Sequence, residues 1–223
     1  MFKRILVPLD GSGRAEQALL VAAHLAKVSG GSLLLLRVVS TFNELSLYSK
    51  RAGATAFLQK LREKDLIEAT AYLASVAHLP ELEGIEMRIA VYAGQAASHI
   101  LDVAREQEID LIVLCSHGYT GFKGWALGSV AQKVSRHSPI PVLLLRDQDL
   151  KLKEKMAHPL RATVALDGSP FAETALLGAL DIVTALSAPE EGELHLLQLV
   201  EMSTIEEEFG YMLGTDFNFR KTA

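Results

Sequence analysis

One cysteine, Cys115, occurs in 223 residues. A single thiol forms no intramolecular disulfide and anchors no Cys-rich zinc site, so a stapled secreted fold and a zinc finger are both excluded. Apolar runs are short: none approaches the roughly 20 residues that span a bilayer. The start "MFKRILVPLDGS" passes straight into a strand pattern without the organisation of a signal peptide, and the expected location is cytoplasmic. Excess positive charge is also missing. The formal net charge is -5, with lysine and arginine scattered in short groups, which argues against nucleic acid and anionic membranes as partners. Two phosphate-binding signatures are absent: no GxxxxGK[ST] occurs, and "GSGRAE" places Glu16 where GxGxxG needs its third glycine. Histidines 24, 78, 99, 137, 158 and 195 are too dispersed for a ready metal site.

The composition that remains, 49% hydrophobic and 22% charged, suits one or two compact domains. "RILVPLD" is a continuous apolar run, and "SLLLLRVV", "IEMRIAVYAG", "DLIVLC" and "PVLLLR" resemble it. Uninterrupted apolar strands belong to a parallel sheet covered by helices on both faces. Between the first two strands, Ala15, Ala18, Leu19, Ala22, Leu25 and Ala26 recur at helical spacing, and Gly30 and Gly31 mark the helix end. Further helices are expected over "LREKDLIEATAYLASVAHL", "QAASHILDVAREQ" and "ALGSVAQKVSRHS", while "STFNELSLYSKRAGATAFLQK" reads as loop at least in part.

The opening pattern then returns. "RATVALDGSPFAETALLGALDIVTAL" echoes "RILVPLDGSGRAEQALLVAAHLAKV", with Asp167, Gly168 and Ser169 matching Asp10, Gly11 and Ser12. The expected division is a complete domain at 1–146, a charged linker at 147–160, and a partial second repeat with a tail at 161–223. Two parallel strands and one helix leave apolar faces and an edge uncovered, so this part is expected to pack against the first domain or another subunit. The run Glu206–Glu208 reads as a solvated face.

Chemistry concentrates at strand ends. In "DGSG", Asp10 has two readings: a carboxylate accepting from ribose hydroxyls beside a helix N-terminus, or part of a turn and helix cap. The loop "CSHGYTGFKGWALGS", residues 115–129, follows the fourth strand and leads into a helix whose exposed amides suit phosphate oxygens. His117 is a candidate ligand contact in that loop. Lys123, Trp125 and the remaining histidines read as solvated or packed, and Cys115 as a packing residue with no evident partner for nucleophilic chemistry.

These residues resemble the universal stress protein family, whose nucleotide-binding branch has an Asp ending the first strand and a later G-x2-G-x9-G-[S/T]. Gly118 matches the second glycine, and Gly128 with Ser129 the final pair; Cys115 stands at the first glycine position. The resemblance covers the chain to about Arg146 and returns from Arg161 to about Val200. It implies an open α/β fold with a five-stranded parallel sheet of order 3-2-1-4-5, helices on both faces, and dimer pairing through the fifth strand. It further implies ATP, or a related adenine nucleotide, as ligand: Asp10 at the ribose, backbone near Val39 at the adenine, and Gly118, Gly128, Ser129 and Val130 at the phosphates. Cys115 belongs to that site because its Cβ and sulfur occupy space a glycine leaves open. Mg²⁺ is expected only as a phosphate counter-ion. The function implied is a stress-response protein, a homodimer with a further, unidentified protein partner open, whose ligand shifts conformation or assembly. The alternative is a nucleotide-independent dimer or adaptor module of the same fold. No residue is placed as a general base, which leaves at most slow ATP hydrolysis.

Overall fold

The computed structural model describes residues 1–40, 54–116, 127–146, 160–188 and 191–198. Two parallel sheets organise the chain. The first contains β1 (Arg4–Pro8), β2 (Ser32–Val39), β3 (Glu86–Ala93), β4 (Leu111–Cys115) and β5 (Val142–Leu145) in the order β3-β2-β1-β4-β5. Its helices are α1 (Gly13–Ser29), α2 (Ala54–Val76), α3 (Ala96–Glu106) and α4 (Ser129–His137). The expected α/β architecture and strand order are both found.

Strand alternation explains why the apolar runs are continuous. Ile5, Val7, Leu33 and Leu35 enter one core with α1 and part of α2, whereas Leu6, Leu34 and Leu36 enter a second core with Ile100, Val103 and Val134 of α3 and α4. Both faces of the sheet are covered, so neither parity of β1 or β2 tolerates a polar residue in its central stretch.

Local chemistry sets the helix ends. Ser12 caps α1 by accepting the Ala15 N–H at 3.2 Å, and Gly30 closes it at φ 58°, a left-handed position that glycine adopts without a Cβ clash. At the sheet's opposite end the Asp110 carboxylate accepts the Lys3 N–H at 2.7 Å and the Arg4 N–H at 3.1 Å, fixing the start of β1 against the loop before β4. The largest difference from an expected boundary lies at α2. Helix α2 begins at Ala54, seven residues before the anticipated Leu61, because "ATAFLQK" contains neither glycine nor proline and continues the helix without a breaker.

The second sheet contains β6 (Arg161–Leu166) and β7 (Glu193–Gln198), with the short helix α5 (Pro170–Glu173) and α6 (Ala175–Ser187) between them. The order strand, helix, parallel strand follows that of β1, α1 and β2. Helix α6 rests on α1: Ala185 joins the first core, and His24 Nε2–H donates to the Ala185 carbonyl at 2.9 Å. Val21 and Ala23, outside the expected apolar stripe, are also buried in that core. The contact between α6 and α1 covers part of the second sheet's unit. Phe171, Leu177 and Leu196 remain 86%, 75% and 60% exposed, so the cover is incomplete among the described residues.

Pro170–Ser187 is also the described stretch closest to a membrane span, with 18 residues and a mean hydropathy of 1.3. The helix is interrupted at Thr174, and its later turns carry Asp181 and pack Val183 and Ala185 inside the protein, as the helix of an α/β layer does. Residues 147–159 of the expected linker and the acidic run Glu206–Glu208 lie outside the described residues.

Candidate functional site

At the carboxyl ends of the central strands, β1 runs into Leu9 and Asp10 while β4, beside it, runs into Cys115 and Ser116. Parallel strands that feed helices on opposite faces diverge here and open a crevice, the position where open α/β sheets take their ligands. The cavity has a volume of about 330 Å³. Asp10, Cys115, Gly128, Ser129 and Val130 all line it, so five residues separated by up to 120 positions in sequence meet at one site.

The Asp10 loop is closely tied. Asp10 Oδ1 accepts the Ser12 N–H at 2.9 Å and the Ser12 hydroxyl at 2.6 Å, while Ser12 Oγ accepts from Ala15. Gly11 sits between them at φ 85°. The two readings of "DGSG" are thus compatible: one carboxylate oxygen organises the cap, and the residue still borders the cavity.

Across the crevice, Ser116 N–H donates to the Leu145 carbonyl and Gly128 N–H to the Ser116 carbonyl, each at 2.8 Å. These bonds bring the start of α4 to the end of β4. Gly128 caps the helix without a side-chain hydrogen bond. The first-turn amides of Ser129, Val130 and Ala131 therefore project beyond the helix ladder at its electropositive end, and a chemically suitable guest is an anion.

Cys115 retains extended strand geometry: its backbone pairs with Leu145, and the sole described non-glycine residue at positive φ is Glu108. Its substitution for glycine therefore imposes no backbone strain. The thiol donates to the Arg14 carbonyl at 2.8 Å, which joins the wall of the cavity to the first turn of α1. The sulfur is a packed wall atom.

The adenine-side expectation was the backbone near Val39. Val38 and Ser40 line the cavity, whereas Val39 does not, and its carbonyl accepts the Gly94 N–H at 2.9 Å. Period-two alternation sends positions 36, 38 and 40 toward the crevice and position 39 away from it. Ala96 and Ile100, within the helix expected over "QAASHILDVAREQ", complete an apolar wall. Ser116, 2% exposed, was also missed; its position after the apolar β4 run was the available signal. His117 and Gly118 lie outside the described residues, as do Lys123 and Trp125. No metal-ligating cluster of three or more His, Cys, Asp or Glu side chains occurs among the described residues.

One ionisable group behind the Asp10 loop is strongly perturbed. Burial raises the phenol pKa of Tyr72, as does its hydrogen bond to Glu16 and the nearby Glu16 charge; Arg37 opposes the shift, and Asp10 adds to it. Tyr72 OH donates to Glu16 Oε1 at 2.9 Å, and the Arg37 guanidinium carbon lies 4.7 Å from the Tyr72 ring centroid. In the second repeat, Ser169 hydrogen bonds lower the Asp167 pKa. The corresponding loop is intact there, but no counterpart of β4 or α4 closes a crevice among the described residues.

Comparison with known proteins agrees with this architecture. The model of the universal stress protein family matches residues 1–146. Universal stress protein YxiE of Bacillus subtilis is 33% identical over 148 residues, covering 66% of this chain and 100% of that protein. The solved structure of hypothetical protein MJ0577, a protein of Methanocaldococcus jannaschii, has 28% identity and a TM-score of 0.53, covering 66% of this chain and 96% of its own. A universal stress protein from Archaeoglobus fulgidus shares the fold over 94% of this chain and 74% of its own, at 22% identity and a TM-score of 0.58. With its sheet order, its crevice and a family match over the whole five-stranded unit, the chain belongs to the universal stress protein family.

Proposed function

We propose that residues 1–146 form an adenine-nucleotide receptor whose occupancy shifts a conformational or assembly equilibrium in a stress response. The observation that carries this reading is the convergence of the Asp10 carboxylate and the α4 N-terminus on one partly apolar cavity. Asp10 has carboxylate acceptor capacity for ribose hydroxyls, Val38, Ala96 and Ile100 form a wall for the base, and the amides from Ser129 onward meet the phosphates. The volume lies within the usual small-molecule range of roughly 300–1,000 Å³. Mg²⁺ enters with the nucleotide as its counter-ion. Occupancy then acts by binding the two states with unequal affinity.

Residues 161–223 act as an accessory repeat without an independent nucleotide site. Homodimer formation is assigned to the outer edge of β5, which ends the five-stranded sheet. A sedimentation series checks it: a dimer mass at micromolar concentration is expected, and a concentration-independent monomer contradicts it.

The nucleotide reading is tested by calorimetry on nucleotide-stripped full-length protein with ATP and Mg²⁺. Saturable binding is expected, and Asp10→Ala weakens it by about 1.5–3 kcal/mol, a factor of roughly 10–150, through loss of hydrogen bonds to a charged group. Absence of saturation by folded wild-type protein overturns the reading in favour of the nucleotide-independent module.

A further inference from the structure

Arg37 sits on β2 between Leu36 and Val38, which line the cavity, and therefore points toward the other face of the sheet. There its guanidinium stacks on Tyr72 of α2 and lies directly against Gly11. A Cβ placed on Gly11 would meet Arg37 Nη1 at 2.7 Å and Nη2 at 3.0 Å. Tyr72 in turn holds Glu16, in the first turn of α1, whose N-cap Ser12 is bound by Asp10. These contacts close a ring behind the Asp10 loop: Gly11, Arg37, Tyr72, Glu16, Ser12 and Asp10.

The second repeat provides an internal comparison. Arg4 pairs with Ser32 and Arg161 with Glu193, so equal register puts Gln198 at the place of Arg37. A Cβ on Gly168 would meet Gln198 Nε2 at 2.9 Å. The loops match as well: Gly168 has φ 81° against 85° at Gly11, and Asp167 Oδ1 accepts the Ser169 N–H at 2.9 Å as Asp10 accepts from Ser12. The same turn is therefore built over a neutral amide, and a guanidinium is not needed to fold it. The cation occurs in the repeat that has the cavity.

Resting on the ribose role proposed for Asp10, we propose that Arg37 is a positioning residue that sets ribose specificity: its guanidinium, braced on Tyr72, holds the Asp10 loop in the orientation that receives the ribose hydroxyls. Its planar cation also offsets the carboxylate's charge when an anionic nucleotide arrives. Arg37 lies behind the loop and acts through it.

The test is calorimetry of full-length wild type and Arg37→Gln with the Mg²⁺ complexes of ATP and 2′,3′-dideoxy-ATP, alongside melting of the ligand-free proteins. Wild type is expected to prefer ATP by about tenfold, the scale of hydrogen bonds to one charged group. Arg37→Gln weakens ATP about five- to tenfold and changes dideoxy-ATP less than twofold, so the preference collapses. A purely structural role predicts equal weakening of both nucleotides, and that result overturns the proposal, as does unchanged ATP binding. If wild type binds both equally, the ribose role of Asp10 fails while nucleotide binding stands; if it binds neither, the receptor reading fails and this proposal with it. Arg37→Lys, which keeps the charge without the planar fork, supplies a second variant if the glutamine form does not fold, and it too must lose ATP preference while retaining dideoxy-ATP binding.

Discussion

Replacing Gly11 by alanine probes the Asp10 loop at its tightest point. Gly11 has φ 85°, where an L-residue costs roughly 1–2 kcal/mol. The new methyl would also lie 2.7 Å from Arg37 Nη1, displacing the guanidinium from its position over Tyr72. Losing that half-buried cation–π contact costs about 0.5–1 kcal/mol, for a sum of about 1.5–3 kcal/mol. Gly168→Ala is the matched control, since φ 81° imposes the same backbone cost and the displaced atom is the neutral end of Gln198. In a chain of this size a kcal/mol moves the melting temperature by about 2–4 °C, so Gly11→Ala is expected to lower it by about 3–12 °C. The assay is thermal unfolding of both variants, each repeated with Arg37→Gln. The extra cost at Gly11 should vanish in the glutamine background, because the stack is already gone. A Gly11→Ala melting temperature within about 1 °C of wild type would refute the strain argument, and an equal extra cost in both backgrounds would refute the role given to the Arg37 stack.

Other consequences follow at separate points of the structure. Cys115→Gly removes the thiol bond to Arg14 and puts glycine into a strand, so stability falls by about 0.5–1 kcal/mol while the wider cavity binds ATP more tightly; an unchanged binding constant rejects the obstruction. Asp110→Ala releases the Lys3 and Arg4 amides and is expected to cost about 1–2 kcal/mol in urea unfolding without altering ATP affinity. The Tyr72 pKa is raised on folding, so its stabilisation is complete below the unfolded value of about 10 and is lost as pH rises beyond it. Wild-type melting temperature should therefore fall more steeply above that pH than that of Tyr72→Phe; parallel curves would contradict the shift.

The strand runs and the inner stripe of α1 were legible because parallel-sheet burial writes itself into consecutive residues: Ile5, Leu6 and Val7 are all fully buried, on alternate faces. The Ser12 cap and Gly30 stop were legible for the same local reason. The cavity lining was legible at Asp10 and at Gly128–Val130, which motif spacing had singled out. It was obscure where register decides. Val38 and Ser40 line the cavity through the pleat, and no local chemistry distinguishes them in sequence. Arg37 reads in sequence as one polar interruption of an apolar strand; its contact with Gly11 exists only because β1 and β2 pair in parallel register across α1.

The central claim is that an adenine nucleotide occupies the crevice between β1 and β4. Amide hydrogen exchange of the full-length chain, with and without ATP and Mg²⁺, tests it at the residues concerned. Slowed exchange at Gly11 and Ser12 and at Ser129–Ala131, with the Gly168–Ser169 loop unchanged, is the predicted result. Saturating nucleotide that leaves the start of α4 unprotected, or that protects the Gly168–Ser169 loop instead, would contradict the account.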